Sequence, residues 1–278
     1  MTTLTSTKRD IVARTGGRRH GPVTRVFSPG DIGQLLKPFV FLDHFDFVPG
    51  APGFPMHPHS GIATISVLLS GAFSYEDTTG ASGVLGPGGV EFMQAGNGVW
   101  HLGNPVGTET LAGYQVWVAL PQDWENGIAQ SQYVPPQDVP AAGPARVVLG
   151  SHDGVHSTVR APAGMHLLHV RLQDGQAWRY APPAGHRVAW THVRQGRLLV
   201  SDQALENELA VFGESEQALE FVAQGDTEFI FGCAVKHPHA LVMGYYSVHT
   251  SAEALAQGEA EIARIGHRLR AEGRIGNR

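Results

Sequence analysis

Apolar residues along this chain of 278 residues come in short runs bounded by glycine and proline, the pattern of strands joined by turns. Phe39-Val40-Phe41-Leu42 has the length and character of a buried strand. Residues 62–69 form a continuous apolar, β-branched run that ends at Ser70-Gly71, and residues 72–76 begin a return strand. Residues 90–93 form another strand, entered through Gly86-Pro87-Gly88-Gly89. Residues 114–120 alternate, which puts Gln115 and Trp117 on one face and Tyr114, Val116 and Val118 on the other.

The second half repeats this rhythm. Residues 188–193 lead into Gln195-Gly196, then residues 197–200 and Ser201-Asp202, as residues 62–69 lead into Ser70-Gly71, residues 72–75 and Glu76-Asp77. Residues 209–212 and 228–231 match the late strands of the first half. An internal duplication of an antiparallel sandwich is the economical reading. Between the halves, residues 121–145 carry Pro135-Pro136, Pro140 and Pro144 and read as a surface linker between domains. The expected division is 1–130 and 131–278. Only the end of the chain has helical spacing. Leu255, Ile262, Ile265 and Leu269 line one stripe of a helix over 252–271, with Thr250 as its N-cap and Glu253 completing a capping box. Arg264, Arg268 and Arg270 fall in its later turns, where the helix dipole favours cations, and are expected to be solvated.

Composition supports many tight turns and a filled core. Glycine (35) and proline (18) together make up about a fifth of the chain. Charged residues are 16% and apolar residues 42%, which excludes a disordered chain. A net charge of -5 argues against direct nucleic-acid binding. Arg9, Arg14, Arg18, Arg19 and Arg25 are expected on a solvated, partly mobile terminus. Cys233 is the single cysteine, so no intrachain disulfide can form, and it reads as a small buried apolar residue. With a polar start and no apolar run near the roughly 18 residues that span a bilayer, a cytoplasmic, membrane-free protein is expected.

The chemistry concentrates in His57-Pro58-His59-Ser60-Gly61 and Ala95-Gly96-Asn97-Gly98-Val99-Trp100-His101. Two imidazoles one residue apart share a face of an extended strand, and a third from a neighbouring strand completes a metal face. Neutral imidazoles suit iron, zinc, copper and nickel alike. No carboxylate lies close to either motif along the chain. Pocket candidates follow from placement. Met56 adjoins His57, Trp100 adjoins His101, Phe45 and Phe47 lie in the preceding segment, and Gln115 shares a face with Trp117. A second pair, His237-Pro238-His239, follows a strand that matches 114–120 and reads as a surface loop. His186 stands nearer the repeat position of the ligand motif, but its neighbour two residues on is Val188, so no metal is expected in the second half.

Four stretches carry a family resemblance: Pro38-Phe39-Val40-Phe41-Leu42-Asp43-His44-Phe45, His57-Pro58-His59-Ser60-Gly61-Ile62, Met93-Gln94-Ala95-Gly96-Asn97-Gly98 with His101, and Gly113-Tyr114-Gln115-Val116-Trp117-Val118-Ala119-Leu120-Pro121. In order and spacing they resemble the pirin family of the cupin superfamily over residues 20–125. The second half matches more loosely, through Gly185-His186, Gln195-Gly196 and the closing helix. The resemblance implies an all-β bicupin: two stacked cupin β-sandwich barrels with a C-terminal α-helix. It implies one divalent metal ion, iron first and other transition metals after it, held by His57, His59 and His101. It also implies one of two functions. The first is an O2-dependent dioxygenase acting on quercetin or another small chelating substrate. The second is a non-catalytic, metal- or redox-dependent regulator that binds a protein partner.

The chain departs from the family pattern at two acidic positions. The family's fourth ligand, a glutamate two residues after the third histidine, is replaced here by Gly103. A second family glutamate is replaced by Ala63. A water molecule is the expected fourth ligand, with Asn104 the nearby side chain that offers a neutral oxygen as the alternative. A three-imidazole site leaves the charge of a divalent ion uncompensated, which weakens metal binding and favours an anionic, chelating ligand. It also lacks the family's base for a substrate hydroxyl, and a general base must reach its proton directly or through one water.

Overall fold

The apolar runs become the inner strands of antiparallel sheets. The structure, a computed structural model, describes residues 8–276. It is mostly strand with one long helix, Ala252–Ala271, as the alternation patterns and the closing helical stripe predict. None of its described helices is long and apolar enough to cross a membrane.

The described chain divides into two compact units. The unit that carries the histidine motifs holds residues 18–139, 158–162 and those from His237 onward. Its seven-stranded sheet runs in the order Gln130–Val134, Val90–Gln94, Ile62–Ser70, Leu111–Ala119, Phe39–Phe47, Val23–Phe27 and Arg18–His20. A four-stranded sheet in the order Phe54–His59, Val99–Val106, Ala72–Asp77 and Ser82–Leu85 faces it. Phe45, Phe47, Leu68 and Leu111 from the first sheet pack with Phe73 and Leu85 from the second. Burying each such side chain contributes about 1.5–3 kcal/mol.

The second unit holds the chain up to Gly17 with residues 140–157 and 163–236. Its nine-stranded sheet is built on Val188–Val200 and Leu219–Ala234. Its core includes Trp178, Tyr180, Phe212, Phe221, Phe229 and Phe231.

Several expectations are corrected. The units are not consecutive halves divided at residue 130. The strand Ile11–Thr15 pairs with Leu209–Phe212 in the second unit, while the closing helix belongs to the site unit. The segment 121–145 is not only a linker, because Gln130–Val134 pairs in full register with Val90–Gln94. The arginine-rich start forms strands rather than a mobile tail: Arg9 is buried and its Nε donates to the carbonyl of Gly213 at 2.7 Å. Gln195-Gly196 is not a turn. The strand continues through it by a bulge, with Gly196 at φ +76 and its missing Cβ only 2.3 Å from the Asp226 carbonyl, a backbone approach that only glycine permits. At Ser70-Gly71 the chain instead bends from the seven-stranded sheet into the four-stranded one, so the duplicated rhythm breaks at this point. The helix starts where predicted, but its N-cap is Ser251, whose Oγ accepts from the Ala254 amide at 3.1 Å. Thr250 instead donates from its amide to Glu125 at 2.7 Å.

Candidate metal centre

Strand register assembles the three histidines. His101 lies directly opposite His57, and Val99 opposite His59, where Val99–Val106 pairs with Phe54–His59. Directly opposed residues have Cβ atoms about 4.5–5.5 Å apart, and His59 joins the same face two residues on. The ligand atoms of His57, His59 and His101 all lie within 4.8 Å of one another. Among the described residues, no other group of three or more histidine, cysteine or acidic side chains meets that condition.

The orientation of each ring matters more than its proximity. His57 Nδ1 donates to the Pro55 carbonyl at 2.7 Å, and His59 Nδ1 donates to the Tyr246 carbonyl at 3.1 Å. A carbonyl can only accept, so both rings carry their proton on Nδ1 and present a lone pair at Nε2. His101 Nδ1 faces Glu91 Oε1 at 3.5 Å, and its Nε2 lies 3.1 Å from His57 Nε2. The buried Nε2 of His59 has no hydrogen-bond partner. The His57 lone pair therefore faces His101 Nε2, and either a proton on that nitrogen or a bound cation completes the contact. Two nitrogens bound to one ion at about 2.0–2.1 Å can be no more than about 4.2 Å apart, a limit the His57–His101 pair meets at 3.1 Å, and the orphaned Nε2 of His59 is the third donor that a transition-metal ion would take up. Burial, reinforced by the neighbouring His101, pushes His57 down to about 3, and burial holds His59 well below the ordinary imidazole range. Both rings therefore stay neutral and competent as ligands at physiological pH.

Behind the histidines, one residue from each of six strands forms a polar row across the seven-stranded sheet. Register sets Arg25 opposite Asp43, Asp43 opposite Gln115, Gln115 opposite Ser66, Ser66 opposite Glu91, and Glu91 opposite Tyr133. Asp43 pairs with Arg25, yet burial outweighs that pairing and pushes its carboxyl up. The row underlies two cavities. A small one of about 30 Å³ is bounded by His57, His101, Ser66, Glu91 and Gln115 together with Phe45, Phe54, Phe73 and Leu111. A larger one of about 590 Å³ opens on the other side of His57, between Trp117, Phe41, Arg25 and Tyr246. Its wall is a stack: the Phe41 and Trp117 rings lie 4.0 Å apart and nearly parallel, and the Arg25 guanidinium sits 4.0 Å from the Phe41 centroid.

Some expected pocket residues belong here and others do not. Gln115 borders both cavities, Trp117 the large one and Phe45 the small one. Phe47 is buried in the sandwich core, and Met56 is half-buried without bordering either cavity. Trp100 faces away from the centre: its Nε1 donates to the Ile262 carbonyl at 2.8 Å, and its ring lies against Gly266 of the closing helix. Neighbours along a strand point to opposite faces, so adjacency to His101 places Trp100 on the wrong side. Asn104 is exposed and off the histidine face, opposite Ser74. Gly103 borders the small cavity, and a Cβ there would lie 3.3 Å from the Phe73 ring. His237 sits in a loop as expected but is buried, with Nε2 donating to the Leu120 carbonyl at 3.2 Å. Cys233 is buried in a strand, as expected for a small apolar residue.

Three groups were not evident from the motifs. Glu91 answers the expectation that no carboxylate lies near: none does along the chain, but the facing sheet brings this one to His101. Its signal was a carboxylate inside a buried run, since such a group needs partners. Tyr246 is the second group. It occupies the two-residue turn between Val242–Gly244 and Ser247–His249, at φ +53, an uncommon conformation for a bulky residue. Its carbonyl holds His59 and its ring lies 5.6 Å from that of His57. The third group is a clamp. Ser60 Oγ lies 2.8 Å from His249 Nε2, and His249 Nδ1 lies 3.3 Å from Glu125. The order Ser-His-Glu resembles a hydrolytic triad, but Ser60 is fully buried and Gly258 of the helix lies directly on it. No substrate can reach that hydroxyl, so the clamp fixes the ligand strand.

A β-sandwich with convergent imidazoles beside a cavity defines a cupin-type protein with a three-histidine centre. The chain belongs to the pirin family: the family model described as Pirin matches residues 21–118, and that described as Quercetinase C-terminal cupin domain matches residues 148–231. A Pseudomonas aeruginosa protein provisionally named a quercetin 2,3-dioxygenase is 34% identical over 199 residues, which cover 65% of this chain and 68% of that one. The crystal structure of quercetin 2,3-dioxygenase from Acinetobacter baumannii shares the fold, with a TM-score of 0.83 at 21% identity over 92% of this chain and 97% of that one. So does the bacterial pirin YhhW from Escherichia coli in complex with nickel(II), with a TM-score of 0.66 at 21% identity over 81% and 96%.

Proposed function

We propose that this protein binds one divalent transition-metal ion, iron above all, through His57, His59 and His101, and acts as an O2-dependent dioxygenase on a small, metal-chelating phenol of the quercetin type. The observation that carries this reading is the orientation of the rings: His57 and His59 are pinned through Nδ1 to carbonyls, so their Nε2 lone pairs are presented to the cluster they form with His101. The names of the Pseudomonas and Acinetobacter relatives support the reaction class, and the nickel(II) in the Escherichia coli pirin supports a metal-binding role for the fold.

A redox-active ion held there supplies the point at which O2 and a chelating phenol meet. The chain's own residues do the rest. The stacked Phe41 and Trp117 rings offer a flat wall to a planar ligand, and Gln115 offers amide hydrogen bonds beside it. The neutral three-imidazole set favours a ligand that arrives as an anion, because the ion's charge is otherwise uncompensated.

The test is anaerobic loading with iron(II), then O2 uptake and product analysis with quercetin and simpler chelating phenols. Turnover that is lost in His101→Ala supports the reading. Bound metal with no turnover of any chelating phenol contradicts it. Capture of a protein partner only from metal-loaded protein would then favour the regulator, a reading consistent with Gly103 in place of the family's glutamate.

A further inference from the structure

Glu91 is 2% exposed. A carboxylate withdrawn from water is costly unless donors or a cation compensate it. Ser66 Oγ donates to its Oε2 at 2.5 Å. Tyr133 Oη reaches its Oε1 at 3.5 Å and Asp77 Oδ2 at 3.1 Å, and burial with these two carboxylates pushes the phenol up, so it stays a donor. The remaining neighbour is His101 Nδ1, at 3.5 Å from Oε1. His101 is thus flanked by two acceptors, Glu91 on one side and the His57 Nε2 lone pair on the other. A cation bound at Nε2 satisfies both sides at once.

We propose that Glu91 is the carboxylate of this metal centre, acting on the ion through His101 rather than as a direct ligand. The proposal rests on the metal-binding reading above. Position 103, on the ligand strand itself, is a glycine whose Cβ site is crowded by Phe73. The carboxylate comes instead from the facing sheet, on Val90–Gln94, and lies behind the ring. There it makes Glu91 a positioning residue. It fixes the His101 ring with Nε2 toward the other ligands and places one negative charge beside a shell that is otherwise neutral. It also leaves the ion's remaining positions open, which a carboxylate ligand would not.

The test is cobalt(II) binding by untagged protein in competition with a chromogenic chelator, with the melting temperature of the metal-free protein measured in parallel. Glu91→Gln keeps the shape and an acceptor for Ser66 but removes the charge. It should weaken metal binding roughly 10–100-fold, as loss of an outer-shell partner does, while the metal-free melting temperature stays within a few degrees. Should Glu91→Gln fold poorly, Glu91→Asp retains the charge at shorter reach and should bind metal more tightly than Glu91→Ala. A merely structural role would lower the melting temperature and leave affinity unchanged. Unchanged affinity in Glu91→Gln, or equal affinity in the aspartate and alanine variants, overturns the proposal. Wild-type protein that binds no cobalt at all overturns the metal reading beneath it.

Discussion

Each unit brings a set of histidines close together, and only one set can act together. In the second unit, His152, His166 and His186 are all buried, and the His166 and His186 rings are 4.7 Å apart, about as close as His57 and His59 at 4.9 Å. Yet His166 spends Nδ1 on the Tyr180 hydroxyl at 2.8 Å, His152 Nε2 accepts from Trp178 at 3.3 Å, and His186 Nδ1 has no partner. Among the described residues, no three ligand atoms of this unit lie as close together as those of His57, His59 and His101. In the site unit, backbone carbonyls take Nδ1 of His57 and His59, and the free lone pairs meet. The difference teaches that the number and closeness of imidazoles do not make a metal centre. The acceptors behind the rings do, because they decide which nitrogen faces inward.

The largest test of this contrast is deletion of one ring from each set. His57→Ala or His101→Ala should abolish stoichiometric metal binding by elemental analysis, whereas His166→Ala should leave it intact. Loss of metal in His166→Ala would erase the distinction.

A second pair of variants separates damage to packing from damage to the centre. A Cβ on Gly258 would lie 1.9 Å from Ser60 Oγ, and one on Gly150 would lie 2.2 Å from the His166 ring. Overpacking of this kind typically costs about 1–3 kcal/mol, so both Gly258→Ala and Gly150→Ala should lower the denaturation midpoint. Only Gly258→Ala, which presses on the clamp next to His59, should also weaken metal binding.

Acid should reveal what the two sets share. Burial pushes His57 down to about 3 and His166 down to about 4, against about 6.5 in an unfolded chain. Between those values the unfolded chain binds protons that the folded one refuses. The stability tied to each group is therefore complete above about pH 6.5 and is lost as pH falls toward the folded value. Melting curves of metal-free protein from neutral pH to about pH 4 should show this loss, and His57→Gln and His166→Gln should each lose less than wild type. Equal slopes in all three would contradict the assignment of both rings as neutral.

The smallest effect concerns a residue that adjacency alone would put in the pocket. Trp100→Phe removes the hydrogen bond to Ile262 and should cost about 1 kcal/mol, measured by urea denaturation, with metal affinity unchanged.

How far the sequence speaks follows from the same geometry. His57, His59 and His101 were legible because a period of two within one strand, and a turn leading to its neighbour, are local facts. Met56 and Trp100 were misplaced because adjacency in sequence was read as adjacency in space, where a strand makes it the opposite. Glu91, Ser66 and Asp43 were not legible as a group because each is a single polar residue in its own apolar strand. Only register lines them up, and register is a long-range property. The closing helix and its bounds were legible from its stripe, but not its N-cap residue or its docking on the site unit. Likewise the bulge at Gly196 reads locally as a turn, since glycine serves both.

The most direct test of the central claim is X-ray absorption at the metal edge of untagged protein loaded with one equivalent of cobalt(II) or iron(II), compared with His101→Ala. The account predicts one ion per chain whose shell contains three imidazole nitrogens, and loss of that signature in the variant. An ion with fewer imidazoles, or a spectrum that the His101→Ala change leaves untouched, would contradict it.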